Sequence, residues 1–165
     1  MATQSRTLAL AILLAGWTLL GAQSPFRGFT LVSAAEYRQL KTGNPGNTQF
    51  KQVPSEPKSI DLDAPQIVVQ SPNPSTAIHP PLRLDVRFKP APTAQIDVSS
   101  FQVIYKYGPL RKDITDRILP FVKVTPDGVS GASSAVVPAG EHTLIIRVRD
   151  TQNRSGEQIV TFRVS

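Results

Sequence analysis

The sequence predicts an all-β fold, an antiparallel β-sandwich, for residues 65–165 of the 165-residue chain. Apolar and polar residues alternate in several short segments, which is typical of strands with one buried and one solvated face. The chain contains 15 Pro and 10 Gly residues, and many of them separate these segments as turns. Because a sheet with one apolar face must be covered, we expect two sheets packed face to face.

Residues 1–34 are predicted to be a signal peptide. Arg6 precedes an uncharged apolar run of fifteen residues from Leu8 to Ala22. This length suits the apolar region of a signal peptide and is shorter than the roughly 20 residues that span a bilayer. Two cleavage positions remain open, one after Ala34 and one after Ala22. The cut after Ala22 lies at a better distance from the apolar run, but the third residue before it is Leu20, where signal peptides usually have a small residue. An uncleaved membrane anchor is the alternative.

Residues 35–64 are predicted to be a flexible linker. Their apolar residues are isolated, they follow no period, and Pro and Gly recur among them. Four basic and four acidic residues balance each other in this stretch. Such a segment buries too little apolar surface to offset the entropy of ordering it.

Strands are predicted along residues 65–165, beginning with QIVVQSP, which a Pro ends. The clearest alternation occurs in PLRLDVRF, SSFQVIYKYG, HTLIIRVRD and QIVTFRV. It predicts a core that includes Leu84, Val86, Val103, Ile146, Val148 and Phe162, and it places Ile145 outward. PDGV is predicted to be a turn, GVSGA a surface loop, SSAVV a further strand, and residues 113–119 a helical turn or a short strand.

Three segments, IVVQSPNPSTAIHPPLRLDVRFKP, AQIDVSSFQVIYK and PAGEHTLIIRVRDTQNRSG, resemble successive strands of bacterial immunoglobulin-like (Ig-like) domains. The similar features are a Pro-rich turn before a strand that ends in Phe-x-Pro, and a late Gly-x-His-Thr-Leu strand that closes at Asp150. The resemblance covers residues 65–165. It implies a β-sandwich used as a spacer, adhesin or binding module, and it brings no set of catalytic residues.

No catalytic, cofactor or metal site is expected, so the protein is predicted not to be an enzyme. The absence of cysteine excludes disulfides, thiolate metal ligands and a cysteine nucleophile. Two histidines at turn and strand positions make a poor zinc or copper site. The other polar candidates are expected to have structural roles. The two histidines, His79 and His142, would bind backbone groups, and Asp150 and Asn153 would form a turn. Asp113 and Asp116 would be solvated or paired with Arg117.

Charge suggests one interaction surface. The formal net charge is +6, and residues 65–165 carry 12 basic and 8 acidic residues. If the FQVIYKY, HTLIIRVRD and QIVTFRV strands lie side by side, then Lys106, Arg147, Arg149 and Arg163 point to water from one sheet face, with Glu157 at the hairpin end. This basic face would bind lipid headgroups, an acidic polymer or an acidic protein. The alternative is a solvated face that keeps the domain soluble.

The function predicted from the sequence is that of an exported, non-catalytic interaction or structural module, for example a subunit of a bacterial envelope assembly. Its location would be periplasmic or secreted, or membrane-anchored if the N-terminal segment is not cleaved. Its partner would be another envelope protein or an anionic surface. Nucleic acid is not expected, because export separates the protein from it and basic and aromatic residues do not interleave. The alternative is a small-ligand or polysaccharide-binding domain, or an enzyme, that uses the loops at one end of the sandwich.

Overall fold

A computed structural model describes residues 30–42, 63–132 and 137–165. The predicted apolar targeting run, most of the predicted linker and most of the SSAVV segment lie outside these residues. Within the described residues, no helix is both long and apolar enough to cross a membrane.

The described residues form nine strands and two short helices. The helices are α1 (Ala34–Lys41) and α2 (Thr115–Ile118), and a 3-10 turn (Leu119–Phe121) follows α2. The strands are β1 (Gln66–Ser71), β2 (Ala77–Ile78), β3 (Arg83–Lys89), β4 (Ile96–Tyr107), β5 (Leu110–Asp113), β6 (Lys123–Thr125), β7 (Gly128–Ala132), β8 (Gly140–Asp150) and β9 (Ser155–Val164). Strands therefore dominate, and the all-β prediction is confirmed.

The strands form two sheets. One sheet has four strands in the order β1-β3-β7-β6, and the other has five in the order β2-β9-β8-β4-β5. Every pairing is antiparallel except that of β2 with β9, which is parallel. The predicted β-sandwich is confirmed, and β4, β8 and β9 are neighbours as expected.

The core lies between the sheets and contains the side chains that the alternation placed there. The predicted core residues are all buried, with at most 2% of their surface exposed: Leu84, Val86, Val103, Ile146, Val148 and Phe162. Each belongs to one apolar cluster contributed by both sheets. Period-2 patterning predicts this well, because successive residues of a strand point to opposite faces.

The GVSGA segment is strand β7, not the predicted surface loop. Val129 is 1% exposed and pairs with Val86 in the four-stranded sheet. A side chain at Gly128 would collide with the carbonyl of Val86, and Gly128 has φ +155°. Glycine in this segment therefore permits close approach of β3 to β7, whereas the sequence suggested a surface loop.

The predicted flexible linker is also wrong at its beginning, because residues 34–41 form α1. Ser33 and Glu36 make a capping box: the Ser33 hydroxyl accepts from the Glu36 amide at 3.1 Å, and the Glu36 carboxylate accepts from the Ser33 amide at 2.8 Å. Leu31, Val32 and Leu40 are buried in the core of the sandwich. We refer to residues 30–42 as the N-terminal strap.

The segment after β5 forms a helical turn, one of the two alternatives predicted. The Asp113 carboxylate accepts from the amide of Thr115, the first residue of α2, at 2.9 Å. Asp116 is exposed, as expected of a solvated carboxylate. Arg117 binds Glu36 of the strap at 2.9 Å instead of an aspartate of its own helix.

Candidate functional site

The outer face of the five-stranded sheet carries all four cations that the sequence singled out. We define the outer face as the side of β5, β4, β8 and β9 that points away from the core. Lys106 lies on β4, Arg147 and Arg149 on β8, and Arg163 on β9. Their register partners lie on the same side of the sheet, because residues directly opposite each other in a ladder share a face.

Strand register arranges the outer face in five rows that cross the sheet. The first row is Glu141 and Arg163; the second Arg111, Lys106, Thr143 and Thr161; the third Asp113, Ile104, Ile145 and Ile159. The fourth row is Gln102, Arg147 and Glu157, and the fifth Asp97, Arg149 and Ser155. The central row therefore contains three isoleucines and Asp113, and the other charged residues lie on both sides of it.

The four predicted cations share the face but are not brought together. They occupy the first, second, fourth and fifth rows, and the isoleucine row separates Lys106 from Arg147. Rows are two residues apart along a strand, or roughly 6.7 Å, so Arg163 and Arg149 lie roughly 27 Å apart. This separation exceeds the screening length of about 8 Å at physiological ionic strength, so cations at the two ends of the face do not act together.

Carboxylates balance most of the positive charge on the outer face. Arg147 donates from Nε to the Glu157 carboxylate at 2.6 Å, and Arg147 is only 9% exposed. Glu157 therefore lies on the face itself, not at the hairpin end where the sequence placed it. Arg163 lies opposite Glu141 in the first row. Across the five rows, five cations stand among four carboxylates, so the face is mixed in charge instead of strongly basic.

The isoleucine row is the feature of the outer face that simple alternation missed. Ile104 and Ile145 are both 0% exposed, although they lie outside the core cluster between the sheets. Ile145 does point away from the core, as the alternation predicts, but its complete burial was not predicted. Ile159, the next residue in the same row, is 45% exposed. The row thus ends in a large apolar side chain at the surface.

A polar cleft of about 540 Å³ opens beside the fourth and fifth rows. It lies between the outer face of β4 and β8 and the segment that includes α2. Its lining includes Ser99, Ser100, Gln102, Asp113, Thr115, Asp116, Leu119, Arg147 and Arg149. Its size falls within the range of small-molecule sites, but its lining is more polar than is usual for them.

The Ser100 and Thr115 hydroxyls in the polar cleft bind backbone groups, whereas the Ser99 hydroxyl donates to the Asp97 carboxylate at 2.6 Å. Ser100 Oγ donates to the Asp97 carbonyl at 2.6 Å and accepts from the Arg149 amide at 2.7 Å. Thr115 Oγ1 accepts from the Val103 amide at 2.9 Å. None of the described residues that line the cleft is a histidine, so none of these hydroxyls has an imidazole base beside it. The hydroxyl, amide and carboxylate groups of the cleft offer hydrogen bonds to a ligand.

His142 is a structural residue, and it is more deeply buried than the predicted position at the rim. It is 1% exposed, with Nδ1 at 2.9 Å from the Tyr105 hydroxyl and Nε2 at 2.8 Å from the Pro138 carbonyl. A neutral ring satisfies both contacts by accepting from Tyr105 and donating to Pro138. Burial lowers the pKa of His142, although the Pro138 carbonyl opposes this shift. Burial also raises the pKa of Tyr105.

The remaining polar candidates do not converge on a metal site. His79 contacts the Ser165 hydroxyl through Nδ1 at 3.2 Å. Asp150 accepts from the amides of Gln152 and Arg154, each at 2.9 Å, which confirms its predicted role in the turn. Asn153 has φ +62°, a conformation that asparagine tolerates in turns. In the part of the chain that the structure describes, no group of three or more potential metal ligands occurs.

Sequence reasoning missed two residues of the outer face that the structure makes prominent. The alternation places Ile159 on the side away from the core, since Val160 and Phe162 face the core, but the exposure of Ile159 was not predicted. Glu157 was assigned to the turn because the length of β9 was underestimated; the strand begins at Ser155. Had the pairing of β8 with β9 been extended to Ser155, Glu157 would have been placed opposite Arg147.

Comparison with known proteins adds no family to these observations. The sequence matches no protein-family model and no curated protein at a significant level. The functional argument therefore depends on the geometry of the outer face.

Proposed function

We propose that this protein is an exported, non-catalytic immunoglobulin-like module that binds a protein of the bacterial envelope through its outer face. The observation that carries this proposal is Ile159, the end of the isoleucine row, which has 45% of its surface exposed whereas Ile104 and Ile145 are buried. Charged residues of both signs border this row on the outer face. An apolar centre with a polar, charged rim is the usual anatomy of a protein–protein interface.

Strand order supports the immunoglobulin-like assignment. In that fold, strands A, B, E and D form one sheet, and C, F and G form the other. Assigning β1, β3, β7 and β6 to A, B, E and D, and β4, β8 and β9 to C, F and G, reproduces both orders. Under this assignment the outer face is the exposed face of the C, F and G strands, and Ile159 lies on strand G.

Mixed charge favours a protein partner over an anionic surface. Membrane lipids and acidic polymers attract clusters of cations that act together. Here, however, Arg147 is bound to Glu157 and Arg163 lies opposite Glu141. The isoleucine row separates Arg149 from Lys106 and Arg111. A protein surface with charges of both signs complements such a face better than a uniformly negative one does.

The proposal is tested by crosslinking the full chain to its partner in the native envelope. A photo-crosslinking residue at Thr161, exposed on the outer face beside Ile159, is expected to capture one defined protein. The same residue at Val68, which is 40% exposed on the opposite sheet, serves as the matched control and is expected not to capture it. Ile159→Glu should abolish the capture, because a charge placed at the centre of an apolar contact is costly to desolvate.

Other outcomes would contradict the proposal. Equal capture from Thr161 and Val68 would mean that the outer face is not the binding surface. Binding of the purified protein to vesicles of anionic lipid, lost in Arg163→Glu but retained in Ile159→Glu, would establish the anionic-surface alternative. Val68→Glu controls for a general effect of adding a carboxylate to an exposed strand position.

A second candidate function is the binding of a small polar ligand in the cleft beside Arg149. The cleft volume of about 540 Å³ and its hydroxyl, amide and carboxylate groups favour this candidate. A thermal-shift screen with sugars and small organic anions tests it. A ligand that raises the melting temperature of wild type but not of Gln102→Leu would support the cleft, and this result would be independent of Ile159.

A further inference from the structure

The edge of β9 that points away from β8 is only partly paired. Among the residues that the structure describes, β2 alone pairs with this edge, and it reaches only Arg163 and Val164. Near the start of the strand, the Pro65 carbonyl packs closely against Gly156. Between these two points the edge is open along residues 157–161, which we call the free edge.

The ladder between β8 and β9 determines which backbone groups point to the free edge. The Asp150 amide donates to the Arg154 carbonyl at 3.1 Å, and the register continues unbroken along the whole strand. Bonded and non-bonded pairs alternate in an antiparallel ladder, so the even-numbered residues of β9 bond to β8. The odd-numbered residues Glu157, Ile159 and Thr161 therefore direct their amides and carbonyls to the free edge.

Two contacts agree with this alternation. Ser165, a further odd-numbered residue, donates from its amide to the Ile78 carbonyl of β2 at 3.2 Å. The Ile159 carbonyl accepts from the side-chain amide of Gln158, in its own strand, at 3.0 Å. The free edge thus presents main-chain donors and acceptors at every second residue, which is the spacing that an added strand requires.

The other edges of the two sheets carry features that discourage pairing with another chain. β2 has two residues, β6 has three, and β5 has four, of which three are charged. β1 has a register shift between Val69 and Ser71, and Pro72 follows it. Short length, charge, bulges and proline all protect an edge strand. The free edge lacks them at its centre, because residues 158–160 are uncharged and regularly paired.

The side chains of the free edge indicate which strand would fit it. Ile159 is 45% exposed and lies on the outer face between Glu157 and Thr161. An aliphatic residue opposite Ile159 would continue the isoleucine row into the added strand. A cation opposite Glu157 would share its carboxylate with Arg147. In an antiparallel strand, this means an aliphatic residue followed two positions later by lysine or arginine.

A second copy of the chain fits the free edge poorly. Antiparallel pairing of two β9 strands about Ile159 would place Ser155 of one copy opposite Arg163 of the other. β2 already occupies that position, because Ala77 is the register partner of Arg163. A short extended segment of another protein has no such conflict.

We propose that the envelope partner binds by adding an extended segment to the free edge, as a further strand of the five-stranded sheet. This inference rests on the proposed function and names the element through which the partner is recognised. Main-chain hydrogen bonds from Glu157, Ile159 and Thr161 supply affinity, and the side chains of the same residues select the segment. β9 needs no rearrangement, because its bonds to β8 use the opposite edge.

Amide exchange in the purified full chain tests the free edge. The amides of Ile159 and Thr161 are expected to exchange fast, and that of Val160, which bonds to β8, slowly. The probe is the end-blocked peptide Thr-Val-Ile-Thr-Lys, which sets isoleucine opposite Ile159 and lysine opposite Glu157. At about ten times its Kd, it should slow exchange of the two edge amides about tenfold. The same peptide with its isoleucine N-methylated is the matched control and should not, because it lacks the central donor.

Three results of this measurement would overturn the proposal. These are slow exchange of the Ile159 and Thr161 amides in the chain alone, failure of the peptide to bind, and equal effects of the two peptides. None of them depends on export or on the envelope.

A second experiment separates the proposal from the proposed function. With the photo-crosslinking residue at Arg163, exposed on the outer face, capture of the partner should persist in Thr161→Val and be lost in Thr161→Pro. Proline removes an edge donor and its ring obstructs pairing, whereas the bonds to β8 stay intact. Capture by a folded Thr161→Pro variant would overturn strand addition but leave the proposed function standing. Peptide binding with no protein captured in the envelope would contradict the proposed function instead. If Thr161→Pro does not fold, the exchange measurement on wild type decides.

Discussion

At the scale of single residues, Arg147 has a different role from the one its position in the sequence suggests. An arginine on an exposed sheet face is expected to point to water and to contribute little to stability. Arg147 as a whole residue is instead 9% exposed, and its Nε lies 2.6 Å from the Glu157 carboxylate. The Arg147 side chain is 11% exposed and that of Glu157 is 23% exposed. A charge held in this way is costly to leave unpaired, because few water molecules reach it.

We therefore predict that Arg147→Glu lowers the free energy of unfolding by about 1–3 kcal/mol, since two carboxylates then face each other at a partly buried site. The exchange Arg147→Glu with Glu157→Arg should recover part of this loss. Arg163→Glu is the matched control, because Arg163 is exposed on the same face, and its effect should stay within about 0.5 kcal/mol. Urea unfolding measures all three, and equal effects of Arg147→Glu and Arg163→Glu would contradict the prediction.

At the scale of elements, the docking of α1 depends on one glycine of β8. Gly140 has φ +138°, a conformation that residues with side chains rarely adopt, and Tyr37 occupies the space beside it. Gly140→Ala combines both penalties, and it should cost about 1–3 kcal/mol. Tyr37→Phe removes the hydroxyl that the new methyl group meets.

The double variant separates the two penalties. In the Gly140→Ala background, Tyr37→Phe should restore part of the free energy of unfolding, whereas in wild type it should not be stabilising. The part that stays lost measures the backbone conformation alone. Strictly additive effects of the two substitutions would mean that Tyr37 and Gly140 are not in contact and that α1 docks differently.

The elements also show how far the sequence predicts this fold. Alternation over Arg83–Lys89 and Gly140–Asp150 predicts their core residues, because a strand with one buried face must follow period 2. The helix α1 was missed because it is only eight residues long and follows no apolar period of its own. Its capping box, Ser33 with Glu36 three residues later, was nevertheless readable as a helix start.

The candidate site was less predictable than the fold. The alternation along the strands placed Lys106 and Arg163 on one face correctly. It does not predict how far apart two residues on different strands lie. That distance depends on register, which the turn lengths and the start of β9 determine. Register is also what brings Glu157 opposite Arg147 and aligns Ile159 with Ile145. A single sequence carries these long-range pairings only weakly.

At the scale of the whole molecule, three buried or paired titratable groups make the fold sensitive to acid. Burial lowers the pKa of His142, and Tyr37, Tyr105 and Phe162 enclose its ring. Hydrogen bonds from Arg117 and Lys112 outweigh burial and hold the pKa of Glu36 well below its usual range. Burial opposes the shift of Asp150, but hydrogen bonds from Arg154 and the Gln152 amide lower its pKa.

The sign of the effect is the same for all three groups. Each has a folded-state pKa below its unfolded value, so the unfolded chain binds more protons as the pH falls. The stability that these groups contribute is complete above their ordinary pKa values and declines below them. His142 acts first, below its ordinary value near 6.5, and the two carboxylates act below about 4.

We therefore predict that the melting temperature is constant from pH 9 to 7.5 and falls between pH 7 and 5, above the range in which Glu36 and Asp150 act. His142→Phe should be less stable than wild type at pH 8, because the Tyr105 hydroxyl and the Pro138 carbonyl lose their partner. Its melting temperature should, however, change little between pH 7 and 5, since the variant has no buried imidazole to protonate. His79→Phe, at an exposed histidine, is the matched control and should keep the wild-type fall. Scanning calorimetry across this range measures the slopes, and a fall in His142→Phe as steep as that of wild type would assign the acid sensitivity to another group.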